Sequence, residues 1–185
     1  MIGWWDRSIG PGATRSENAL VLLWGLLGAA AITTYALWAD LGWSASQLVA
    51  VALLAFDIGG GVPANASNSA KRWFHHPGQG FWKHFAFPLV HVHPFALALL
   101  FPSFGWGTAT LVYVYLLAAA AAILIVPLYL KRPVAFVLYC AALLGGLYVL
   151  DVPQGLEWFV PLFFLKLLVA HPLPEEAYRP YQGEV

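Results

Sequence analysis

The chain has 185 residues, of which 61% are hydrophobic and 10% charged, and its nine basic and nine acidic residues leave no net formal charge. A water-soluble domain carries about 25% charged residues and could not bury this much apolar surface. Lipid is therefore the expected solvent, and nothing in the charge balance points to a nucleic-acid partner. The one cysteine, Cys140, lies in an apolar run, which excludes an internal disulfide and a cysteine-based zinc site.

Residues 1–18 hold Trp4, Trp5, Asp6, Arg7, Arg15 and Glu17 and lack an apolar core followed by a small-residue cleavage site. They are expected to form a cytoplasmic juxtamembrane arm rather than a cleaved signal, with the paired tryptophans at headgroup level. A spanning helix needs about 20 apolar residues, and six stretches qualify: 19–39, 45–62, 81–101, 108–130, 134–150 and 156–170. The expected fold is all-α, a polytopic integral membrane bundle of six transmembrane helices over residues 19–171, with a cytoplasmic tail at 172–185. Ser44 and Gln47 make a capping box that opens the second helix. Pro133 is expected in the first turn of the fifth, where its missing N–H costs nothing.

Basic residues stay in the cytoplasm when helices insert. Arg7 and Arg15 precede the first helix, Lys71, Arg72 and Lys83 lie between the second and third, Lys131 and Arg132 join the fourth to the fifth, and Arg179 follows the sixth. The alternate connections hold no Lys or Arg. Both termini are thus expected in the cytoplasm of a multi-pass protein of the cell's inner or plasma membrane. Lys166, inside the sixth helix near its cytoplasmic end, is expected to snorkel to the interface.

The second helix carries a polar stripe. Asp57, Gly61, Asn65, Asn68, Arg72 and His75 recur at helical spacing on one face. Counted from Ser44, Asp57 is roughly 20 Å into the membrane, where a carboxylate is costly unless paired, protonated or metal-bound. Gly59, Gly60, Gly61 and Pro63 follow it and are expected to weaken the helix and free carbonyl groups, or simply to permit close packing.

In the third helix, His84 and His91 are seven residues apart and share a face, whereas His93 points away from His91 unless Pro88 and Pro94 break the helix. Matching depths then pair Asp57 with His91 and Asn65 with His84. His75, His76 and His171 read more simply as interfacial residues.

Three chemistries compete for these residues. Asp57, His84 and His91 could ligate a divalent transition metal, since imidazole and carboxylate suit such ions; the histidine boxes of membrane desaturases and hydroxylases are absent. Alternatively Asp57 and His91 serve as general acid and base, tuned by their apolar setting, in isomerising or cyclising an isoprenoid-like lipid, with Phe87, Tyr113, Tyr115 and Tyr139 lining the pocket. Asn65, Asn68, Lys71, Arg72 and His75 would then bind the substrate's polar end at the entrance. A proton- or ion-conducting subunit, expected to form a homo-oligomer, or a structural subunit stands against both. The favoured expectation is an enzyme whose partners are membrane lipid and a lipid-soluble small molecule, with Asp57, His91 and His84 at the chemistry.

Overall fold

The computed structural model describes residues 3–175, without the side chains of Trp4 and Arg7. All regular structure among them is helical: α1 (Trp4–Ile9), α2 (Arg15–Trp38), α3 (Ala45–Ala66), α4 (Asn68–Phe74), α5 (Phe81–Leu89), α6 (His93–Leu100), α7 (Trp106–Ile125), α8 (Leu128–Tyr148) and α9 (Phe159–Phe164), the last running into a π-helix, Leu165–Ala170. Four of these, α2, α3, α7 and α8, are long and apolar enough to cross a membrane. Their outer faces invert the pattern of a soluble helix: Leu22, Leu23, Trp24, Leu26 and Leu27 of α2 are all exposed. Isolated exposed leucines are ordinary, but a continuous apolar jacket is consistent with a membrane-spanning helix.

Capping groups set the starts of the first two long helices. Thr14 Oγ1 accepts from the Glu17 N–H while Glu17 accepts from the Thr14 N–H at 2.8 Å. Ser44 and Gln47 repeat the arrangement at α3, as their spacing predicts. Gln47 also donates to Leu100 O at 2.7 Å, tying the start of α3 to the end of α6. Glycines let α2 and α3 lie close: a Cβ on Gly60 would come within 3.0 Å of Val21 O, and one on Gly25 within 2.9 Å of the Phe56 ring.

Boundaries shift where proline intervenes. The fourth and fifth spans meet at Val126–Pro127 rather than at Lys131–Arg132, so Lys131, Arg132 and Pro133 lie inside α8 and Pro133 is not in its first turn. Pro127 is itself the residue preceding α8, where a fixed φ and a missing N–H suit a helix entry. The third span divides into α5 and α6, with His91 and Val92 outside helix. Pro88 and Pro94 remove two helical donors and account for the break. Tyr113 of α7 donates its hydroxyl proton to Leu89 O at 2.6 Å, satisfying a carbonyl at the end of α5. The sixth span shortens to α9 and the π-helix, where His171 N–H reaches back five residues to Lys166 O.

The arm at the N-terminus packs on the bundle. Trp5 donates to Asn18 at 2.6 Å, and Ser69 donates its hydroxyl proton to Ile9 O at 2.8 Å, docking α1 on the junction of α3 and α4. Gly10, at φ +89°, passes against Ser69 so closely that a Cβ would lie 2.4 Å from its carbonyl carbon. At the other terminus Arg132 pairs with Glu175 at 3.6 Å; Glu176 and Arg179 lie outside the described residues. The connection after α4, the α7–α8 junction and the end of the π-helix thus meet the arm at one end of the bundle. The loops 39–44, 101–105 and 149–158, which carry no Lys or Arg, meet at the other, where Gln154 bonds Tyr35 and Trp43 packs on Phe101.

Candidate functional site

Three segments meet at one carboxylate. Asp57 lies in α3 just before its glycine triplet, His93 opens α6 after the break, and Lys166 is the second residue of the π-helix. Lys166 Nζ is 2.8 Å from Asp57 Oδ2, and His93 Nε2 is 3.2 Å from the same oxygen. The cluster is unequally enclosed: the Lys166 side chain is 4% exposed and that of His93 22%, whereas Asp57 is 52% exposed. The cation is sealed in and the carboxylate is left accessible.

Each irregularity has a function in this geometry. A Cβ on Gly61 would stand 2.5 Å from Lys166 Cε, so Gly61 is the gap through which the lysine stem passes. Helix α3 nevertheless continues through Pro63 to Ala66; the glycines accommodate neighbours and do not unwind it. The break at His91–Val92 resets the phase of the third span and turns both His91 and His93 inward, with ring centroids 5.1 Å apart. A π-turn accommodates an extra residue within a helix and re-aims the side chains near it, which is why such turns recur at functional sites.

The expected pairing of Asp57 with His91 is therefore corrected to Asp57 with His93. His91 is buried beside them and bonds Phe87 O through Nδ1 at 2.6 Å. Lys166, expected to snorkel, instead turns into the bundle because a carboxylate is there to receive it.

Toward the basic end lies a second group of imidazoles. His75 stacks on His84 at 4.5 Å, and His171 stands 6.0 Å from His84 and 6.3 Å from His75. His171 is buried, its Nδ1 3.3 Å from Asn65 Oδ1 and its Nε2 without a partner. Asn65 thus meets His171, not His84, and its amide nitrogen donates to Gly61 O at 2.8 Å. His75 Nε2–H donates to His171 O at 2.9 Å, and burial lowers the His75 pKa to about 4. Phe87 separates the two groups, stacked on His171 at 3.8 Å and tilted against His91 at 4.4 Å.

The residues expected at an entrance divide. Lys71 is buried and donates through Nζ to the carbonyl oxygens of Ala170 and Leu173, closing the end of the π-helix; burial lowers its pKa to about 8. It is a structural clamp and not an exposed docking cation. Asn68 opens α4, and Arg72, farther along it, acts electrostatically on Glu17. The metal set Asp57, His84 and His91 is not assembled, and among the described residues no group of three His, Cys, Asp or Glu side chains is arranged to hold a metal ion. Of the tyrosines expected to line a pocket, Tyr113 and Tyr115 spend their hydroxyls on Leu89 O and Leu138 O.

His93, Lys166 and His171 are the site residues that spacing alone missed. Their signals were present: two prolines bracketing a histidine pair, and a lysine inside an apolar run. No protein-family model, curated protein or solved structure matches the chain.

Proposed function

We propose that this chain is a six-span integral membrane enzyme that moves a proton on a lipid-soluble, isoprenoid-like substrate, in an isomerisation or cyclisation, with Asp57 and His93 as the reacting base and acid. The broken α5–α6 pair and the α9–π-helix segment would supply the fifth and sixth crossings. Non-regular backbone at membrane depth is tolerated where it is enclosed by protein or lines a polar cavity. Both termini would then be cytoplasmic, because the basic loops share one end of the bundle.

One observation carries this proposal: an accessible carboxylate touches an imidazole at 3.2 Å while a sealed lysine holds it in place. A base and an acid within hydrogen-bond reach of each other are the minimum for proton transfer at carbon. Lys166 is a positioning residue, since it is covered and cannot meet a substrate. His84, Asn65 and His171 would order the cytoplasmic side of the site.

A transmembrane proton path fits less well. On the far side of the cluster, one to two turns along each contributing segment, Val51, Leu97, Phe159 and Phe163 are fully buried, and Phe101 and Phe104 extend the same apolar layer. This layer backs the cluster on the side away from the basic end.

The test compares lipid extracts of cells carrying the wild-type chain, Asp57→Asn and no chain. Wild type should convert one hydrophobic species to an isomer of the same mass, and Asp57→Asn should resemble the empty cells. Identical extracts in all three would reject the proposal, provided the proteins reach the membrane in equal amounts.

A further inference from the structure

We infer that His75, His84, His171 and His91 form a proton-exchange route from the basic end of the bundle to His93 and Asp57, with the Phe87 ring as its apolar divider. This rests on the proposed acid–base role of Asp57 and His93: a site backed by a buried apolar layer on its far side, when it gives up or gains a proton, is supplied from the basic side.

Five of the six histidines belong to the two clusters just described, and each successive pair is in ring contact except across Phe87. The sixth, His76, is exposed and bonds Gln79. In a neutral imidazole the nitrogen that faces a carbonyl or carboxylate carries the hydrogen, and the other keeps a lone pair. His75 Nε2 faces His171 O, His171 Nδ1 faces Asn65 Oδ1, His91 Nδ1 faces Phe87 O, and His93 Nε2 faces Asp57. Every one of these rings therefore presents one nitrogen free to receive a proton. The two buried side-chain nitrogens without a partner among the described residues, His171 Nε2 and His93 Nδ1, both belong to this string and lie on opposite sides of the Phe87 divider.

The last step balances without a further reagent. A proton arriving at His93 Nδ1 lets the Nε2 proton pass to Asp57 Oδ2, and the ring is neutral again with one proton transferred. Along the outer string, each ring takes and releases a proton at its lone-pair nitrogen; steps longer than a hydrogen bond require a bridging water. Electrostatics favour passage over residence. A resting proton on His75 is disfavoured first by burial and then by Lys71 and Lys131 nearby. A proton held among the outer groups meets positive neighbours, and the carboxylate lies at the inner end.

The experiment needs no substrate. Protein labelled with ¹⁵N-histidine is placed in lipid nanodiscs, and exchange of the His93 ring proton with water is followed by NMR, with His93→Gln assigning the signal. His171→Phe should slow that exchange by roughly tenfold or more, Phe87→Ala should accelerate it, and His76→Phe should leave it unchanged. His84→Phe serves in place of His171→Phe if the latter does not fold. Exchange at His93 that ignores the outer-histidine variants, or that slows equally in His76→Phe, overturns the route. If exchange depends on His171 while the lipid extracts never depend on Asp57, the enzyme proposal falls and the route stands; the reverse pattern separates them the other way.

Discussion

Lys166 is the side chain on which the ion-pair cluster depends most. Covered on all sides, it has Asp57 Oδ2 as its charged partner and Asp57 O as a second acceptor at 3.3 Å. Removing one member of a buried pair costs about 3–5 kcal/mol, because the other charge is left without compensation, whereas replacing both can be nearly neutral. Asp57 is half accessible, which places Lys166→Met at or below the lower end of that range. The Asp57→Leu/Lys166→Met double variant should be more stable than Lys166→Met alone. Unfolding in detergent, followed across the full cycle, checks this; equal stabilities for all four proteins would mean that the pair contributes nothing. His75 provides a pH-dependent counterpart. Its pKa in the fold is about 4, against about 6.5 for an unperturbed histidine. Between those values the unfolded chain takes up a proton that the folded one refuses. Stability from this group is complete above pH 6.5 and declines as pH falls toward 4. Melting temperatures measured from pH 7 to pH 4 should fall, and His75→Gln should flatten the slope.

Helix α3 shows how one element reconciles two demands. Its Gly60 face must let α2 approach, and its Gly61 face must let the lysine stem cross. In an exposed helix Gly→Ala is stabilising by about 1 kcal/mol through propensity. Here Gly61→Ala should do the opposite: the new methyl displaces Lys166, and the variant should resemble Lys166→Met in unfolding and in the Asp57-dependent lipid change. A Gly61→Ala protein as stable and active as wild type would show that the lysine reaches Asp57 by another path. Much of α3 was readable in advance. The capping box at Ser44 and the place of Asp57 within the helix follow from local spacing, which a helix preserves. The partner of Asp57 was not readable, because a regular third helix would turn His93 away. Only the break at His91–Val92 changes its phase, and two prolines mark that a break occurs without stating the angle it takes.

At the scale of the whole molecule, segregation of charge is the dominant pattern. The described basic residues other than Lys166 gather toward one end, in α4, at the starts of α2 and α5 and in the first turns of α8, and the loops of the other end are held by contacts such as Gln154 with Tyr35 and Gln47 with Leu100. Six crossings predict that single cysteines at the exposed loop positions Ser103 and Asp151, in a Cys140→Ala background, react with an impermeant thiol reagent from outside the cell. A cysteine at His76 and one at the C-terminus should react only after the membrane is opened. Labelling of position 76 from outside would break the six-span arrangement.

Composition and periodicity were sufficient for an all-helical chain suited to lipid, for the long apolar helices and for the grouping of basic loops, because these depend on solvent transfer and on short-range spacing along one helix. The triad of Asp57, His93 and Lys166, the burial of Lys71 and the meeting of His171 with Asn65 were decided only in three dimensions. Each joins residues about 30 to 110 positions apart across helices whose phase is reset by a proline break or a π-turn, and the rotation such a defect imposes is set by what packs against it.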